Sequence, residues 1–153
     1  MFFRPAILLA ATAMVLFGLL STVIAAPVPP VEDVKALGKT FQDLRAVKGH
    51  FDGGEFNEDV DAFNGKKHQT MQKLAKTFNK AGVLEATIET TMGRSDKIPA
   101  QVMKELKGTE PEMTINVYKY MVFKWRGYHD YLWFRVDDRT HKVVKGDWYH
   151  ALE

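Results

Sequence analysis

The stretch Tyr118–Val136, YKYMVFKWRGYHDYLWFRV, places eight aromatic residues in nineteen positions. Side chains alternate with period two on both sides of a single Arg126-Gly127 pair, so the segment reads as two strands joined by a tight turn. The first strand is expected from Ile115 to Trp125, and residues 126–128 turn the chain. A second strand follows over His129–Val136, DDRTH makes the next turn, and His141–His150 form a third strand. Three consecutive strands with short turns make an antiparallel meander.

Alternation sorts these side chains by face. One side collects Ile115, Val117, Met121, Phe123, Trp125, Leu132, Phe134, Val136, Val144 and Trp148, an apolar set that reads as core. The other collects Tyr118, Tyr120, Val122, Tyr131, Trp133, Arg135, Val143, Lys145 and Tyr149, large rings mixed with cations. Tyr, Trp and Arg bury much area at small entropic loss and keep a polar tip, which suits them to contact surfaces. Tyr118, Tyr120, Tyr131, Trp133 and Tyr149, with His129 and Arg135 at the edge, are therefore the candidate binding residues. The competing explanation is that the first helix folds back over this face, leaving an exposed remnant around Tyr131, Trp133 and Tyr149.

Upstream of Pro111 the apolar period is that of helices. Val34, Leu37, Phe41 and Leu44 recur at three- and four-residue steps within 31–47, an amphipathic helix that Gly38 weakens by about 1 kcal/mol relative to Ala. KGHFDGGEFNED is Gly- and Asp-rich and reads as loop, with one helical turn over Asp59–Phe63. A second helix runs over Lys66–Lys80 with Met71, Leu74, Ala75 and Phe78 on one stripe, and Gly82 just past its end. Its lysines, Lys67 among them, read as a solvated face. A third, short helix carries Leu84, Ile88 and Met92 on one side and stops at Gly93; Pro99–Leu106 admits another with Pro in its first turn. The fold class is thus α+β, N-terminal helices packed on a three-stranded antiparallel β-meander.

The chain opens with one cation at Arg4, an apolar run over Ala6–Leu20, and small residues ending in Val23 and Ala25 before PVPP, the order of a secretory signal peptide. Cleavage is expected after Ala25; the alternative is retention as an anchor, since Ala6–Ala26 just reaches the length of a bilayer span. The remaining organisation is an N-terminal helix over 26–48, a Gly/Asp-rich loop over 49–65, and a module of two helices and three strands over 66–153. An exported chain with no cysteine must hold together by packing alone. A formal charge of +2, with the signs interspersed, gives no electrostatic footprint for nucleic acid, and no second long apolar segment calls for a membrane.

Chemistry is hard to place. His50, Asp52 and Glu55 share a loop with Asp59 and Asp61 nearby, but their spacing misses the rule for calcium loops, and the single histidines give no zinc pattern. With neither cysteine nor a Gly-x-Ser-x-Gly elbow, no nucleophile stands out. His129 and Asp130, as neighbours on a strand, are expected on opposite faces and hence poorly placed as a dyad. No catalytic residue, metal site or cofactor is expected.

GVLEATIETTMGRSD, followed by strands carrying LWFRVDD and KVVKGDWY, resembles the α-α-β-β-β modules of bacterial outer-membrane assembly lipoproteins and the repeats of β-lactamase-inhibitor proteins. In that pattern a short helix ends in an apolar residue, Gly, any residue, Pro and an acid. Met92, Gly93 and Asp96 match, and Ser95 stands where Pro is usual. The order of GGEFNEDVDAFNGKKHQTMQ and WRGYHDYLWF is also similar to that of small secreted fungal proteins. Neither resemblance supplies a catalytic residue; the first implies a binding role, since its members grip other proteins with a sheet face. The expected function is a secreted, non-catalytic protein-binding module, effector- or inhibitor-like, with an extracellular protein as partner. The alternative is a small-ligand carrier or enzyme with a pocket between the first helix and the aromatic face.

Overall fold

The computed structural model describes residues 33–108 and 117–150, all within one compact unit, Val31–Glu153. The leader expectation and Ile115 lie outside the described residues. Helix α1 spans Val34–Arg45, followed by a 3-10 turn at His50–Asp52, α2 at Glu58–Asp61, α3 at Lys66–Phe78, α4 at Glu85–Met92 and α5 at Ala100–Gly108. Strands β1 (Tyr118–Arg126), β2 (Asp130–Asp137) and β3 (Lys142–His150) form one antiparallel sheet in the order β1-β2-β3. The α+β class, with helices followed by a meander, is as the periodicity demanded. Among the described residues no helix is long and apolar enough to cross a membrane.

The main core lies between one sheet face and α1, α3 and α4. Phe41, Met71, Leu74, Phe78, Ile88 and Met92 from the helices meet Met121, Phe123, Trp125, Leu132, Phe134 and Val136 from the strands. Each such buried side chain contributes about 1.5–3 kcal/mol, so a chain without disulfides has its stabilisation here. Asp33 caps α1, its carboxylate accepting the Lys35 amide at 2.9 Å. Gly38 is more than a weak helix former. A Cβ there would lie 2.5 Å from the Thr91 carbonyl oxygen, so the glycine lets α1 and α4 come together.

Parity holds along β1 and β2 but breaks in β3. The register pairs Arg135 with Lys145 and then Val136 with Val143, so Val144 is bulged. Beyond the bulge Val143 turns into the core and Val144 is left exposed, the reverse of strict alternation. Val117 precedes β1 and is likewise exposed rather than core. The coverage of the aromatic face differs from expectation too. Helix α1 packs against α3 and α4 on the other side, and it is α5 that lies on the aromatic face, where Val102 and Leu106 join Tyr120, Val122 and Tyr131 in a second cluster.

Both sheet edges are occupied. The Val122 amide donates to Ser95 Oγ at 2.9 Å, the Asp96 amide donates to the Val122 carbonyl at 2.8 Å, and the Lys124 amide donates to Asp96 Oδ2 at 2.8 Å. Arg45 holds this segment in place, donating to Asp96 Oδ1 and to the Arg94 carbonyl, both at 2.7 Å. Ser95, off-pattern in the sequence, thus covers the β1 edge with its hydroxyl. On β3 the Gly146 amide donates to Asn79 Oδ1 and the Trp148 amide to its neighbour Asp147, which blunts the opposite edge.

Several polar residues are structural rather than solvated. Asp61 is buried and accepts the His50 and Asn57 amides at 2.9 and 2.8 Å, so it ties the loop together. His68 is buried and stacked on Trp125 at 4.0 Å, and its Nδ1 accepts the Asn64 amide. An accepting Nδ1 carries no proton, so His68 is neutral here.

Ala at an exposed helical Gly normally stabilises by about 1 kcal/mol, but Gly38→Ala should lower the urea midpoint, because the Thr91 backbone must move; a raised midpoint would mean that α1 and α4 are further apart. For His68, burial, aided by His150 and Arg126 and opposed by Asp130, holds the pKa below its ordinary 6.5. The unfolded chain binds that proton more readily, so this stability is complete above pH 6.5 and is lost as pH falls through the folded-state value. Urea midpoints at pH 7.5 and 5 should differ accordingly, and His68→Gln should shrink the difference.

Candidate functional site

The aromatic face is built by cross-strand pairing. Tyr131 stands opposite Tyr149, Trp133 opposite Asp147 and Arg135 opposite Lys145. The Tyr131 and Tyr149 rings are stacked, with centroids 4.7 Å apart and planes 10° from parallel. Lys145 Nζ sits 5.6 Å from the centre of the Trp133 ring, and the Arg135 guanidinium lies 4.6 Å from that of Tyr118. Such placements of cation over ring fix the long side chains and keep their charges at the rim.

Helix α5 covers only part of this face. It is short for an isolated helix, and it is held by Val102 and Leu106 on the rings, by the Tyr120 hydroxyl on the Leu106 carbonyl at 3.4 Å, and upstream by the Tyr128 hydroxyl on the Lys97 carbonyl. Beside it a groove of about 460 Å³ remains open, bounded by Glu105 and Leu106 of α5, Tyr131, Trp133 and Arg135 of β2, and Lys145, Asp147 and Tyr149 of β3. That volume falls in the range of small-ligand pockets, and apolar walls with a few polar groups are their usual lining.

Of the seven residues singled out in the sequence, the structure brings Tyr131, Trp133, Tyr149 and Arg135 to this groove, and Tyr118 touches it only through Arg135. Tyr120 and Tyr131 are buried under α5, so the exposed remnant is Trp133 and Tyr149 without Tyr131. His129 is elsewhere. It belongs to the β1–β2 turn, where its Nδ1 lies 3.2 Å from Asp130 Oδ2 and its ring faces Phe51 at 5.8 Å. His129 and Asp130 do meet, contrary to the parity argument, because His129 precedes the strand and alternation does not bind it. Asp130 is buried, and its other oxygen lies 3.2 Å from His150 Nδ1. Among the described residues α1 packs on the opposite side of the sheet, so no pocket forms between it and the aromatic face; the groove lies beside α5 instead.

Reasoning from the strands alone missed Glu105, Leu106 and Asp147. The apolar steps from Ile98 to Val102 to Leu106 were the available signal for α5 as a covering helix.

The floor of the groove carries an anomaly. Tyr131 is 0 % exposed, and its hydroxyl has no hydrogen-bond partner among the described residues. Burial pushes the phenol well above its usual range, with Glu105 and then Tyr149 adding to the shift, so it stays a neutral donor at any physiological pH. A buried hydroxyl left unsatisfied costs about 1–3 kcal/mol. Tyr131→Phe should therefore leave thermal stability unchanged or raise it; a clear loss would mean that the hydroxyl has an acceptor within the fold.

No protein-family model, curated protein or solved structure matches the chain.

Proposed function

We propose that the protein is an exported, non-catalytic binding module whose contact site is the groove beside α5. The observation that carries this reading is the groove itself, a ring-walled space that α5 leaves open beside the partly buried Trp133 and Tyr149. A group with an apolar or aromatic body would fill the space between these rings. The expected occupant is an exposed segment of another extracellular protein, with one side chain inserted between Trp133 and Tyr149. Arg135 and Lys145 on the rim are balanced by Glu105 and Asp147, which favours a partner of mixed charge over a strongly acidic one.

Export rests on the leader pattern at 1–25. The resemblance to modules that grip proteins with a sheet face agrees with a binding role. The covered edges argue against strand addition as the mode of contact, since the outward amides of Val122, Lys124, Gly146 and Trp148 are already taken. One observation favours the second reading, a small-ligand carrier: the site is a groove of ligand size rather than a flat patch.

The two readings are separated by parallel experiments. Protein retained from culture medium by the immobilised chain should fall at least about tenfold, or 1.4 kcal/mol, with Trp133→Ala and be retained by His129→Ala. Trp133→Ala should leave the fold intact because its ring is only partly buried, at the margin of the second cluster. If nothing is retained, but an apolar fluorescent probe binds the wild type and not Trp133→Ala, the carrier reading replaces the protein-binding one. If Trp133→Ala unfolds the chain, its ring is core and the groove is no site.

A further inference from the structure

A second concavity is lined by charge rather than by rings. It holds about 340 Å³ between the end of α1, the 3-10 turn, the first turn of α3 and β1, and shares no lining residue with the groove. Its charged lining is Arg45, Lys48, Lys67 and Lys124 against Asp52 and Asp96, two more cations than anions. Both carboxylates are already committed. Asp96 is held by Arg45 at 2.7 Å and by the Lys124 amide at 2.8 Å, and Asp52 by the Lys124 ammonium at 3.2 Å. The surplus positive charge therefore belongs to Lys67 and Lys48.

Lys67 is the unusual member. It reads as part of a solvated helix face in the sequence, yet it is 3 % exposed. Its ammonium donates one hydrogen bond, 3.0 Å to the Trp125 carbonyl, at the point where the β1–β2 register shifts. Among the described residues no acceptor within hydrogen-bonding distance takes its other two protons. Burying an ammonium is costly unless its protons are all satisfied. Burial draws its pKa below the ordinary lysine value, while Asp52 and Asp96 oppose that shift without touching the ammonium. The first turn of α3 contains no acid, where acids are the stabilising choice, so nothing on the helix start itself offsets the Lys67 ammonium.

We infer that this cavity binds a compact oxyanion, a phosphate or carboxylate group, with Lys67 as the inner donor and Lys48 at the mouth. The anion supplies the two acceptors that Lys67 lacks and neutralises the surplus charge between Lys67 and Lys48. Arg45 and Lys124 steady the walls through their own carboxylates and leave the inner ammonium to the ligand. A metal cation is the wrong sign for this cavity, since both carboxylates are already paired with cations.

The test is titration of the purified protein with inorganic phosphate and, separately, acetate, at pH 7 and constant ionic strength balanced with chloride. A saturable rise in melting temperature is expected with at least one of them, accompanied by amide shifts at Lys67, Asp96, Lys124 and Trp125. Response to phosphate alone assigns a phosphoryl ligand, and response to acetate alone a carboxylate; either supports the site. The apparent Kd should rise at least tenfold in Lys67→Met and clearly in Lys48→Ala, and stay unchanged in Lys66→Ala, whose parent side chain is exposed beside the cavity. Should Lys67→Met fail to fold, the contrast between Lys48→Ala and Lys66→Ala carries the test. No saturable response to either anion overturns the proposal, and so does an equal response in Lys48→Ala and Lys66→Ala. Anion binding should persist in Trp133→Ala, so the two concavities succeed or fail separately.

Discussion

The sheet has only three strands, and both of its faces are lined with large apolar or aromatic side chains that have to leave water. Neither face can be left open, and the chain has unequal means of covering them. Helices α1, α3 and α4 together present enough apolar surface to bury most of one side, with Trp148 half-buried at its margin. The other side receives the short α5, which hides Tyr120, Val122 and Tyr131 but stops short of Trp133 and Tyr149. The groove is the direct consequence of that shortfall. With the edges closed by Ser95, Asp96 and Asn79, the sheet surface offered to a partner is the part of the aromatic face that α5 leaves uncovered.

Much of this architecture is legible from residue spacing. The helical stripes of α1 and α3 and the alternation along β1 and β2 follow from periods of 3.6 and 2, which survive in any packing that buries one side of each element. What spacing does not reveal is where an element goes. Whether α1 or α5 covers the aromatic face depends on tertiary fit: Gly38 lets α1 lie against α4, and that choice sends α1 to the opposite side. The β3 parity fails at Val144 because a bulge inserts one residue, and nothing in KVVKGDWY announces it.

The site was half visible for the same reason. Trp133, Tyr149 and Arg135 come from strand parity, while Glu105 and Leu106 come from a helix whose position is set by packing. His129 was placed by a rule for strands although it lies in a turn. Lys67 escaped notice because a lysine near the start of a helix is solvated in most contexts. Its burial depends on a carbonyl freed at Trp125, 58 residues away in sequence. The two concavities ask for different ligands: the groove offers rings under a rim of balanced charge, the charged cavity an ammonium with two protons to spare.

The placement of α5 on the aromatic face and of α1 on the opposite one underlies all of this, and contacts between methyl groups and aromatic rings report on it directly. Nuclear Overhauser effects should connect the methyls of Val102 and Leu106 with the rings of Tyr120 and Tyr131, and none should connect those rings with Leu37 or Leu44. The reverse pattern, α1 methyls on the Tyr120 and Tyr131 rings, would contradict the arrangement and remove the groove with it.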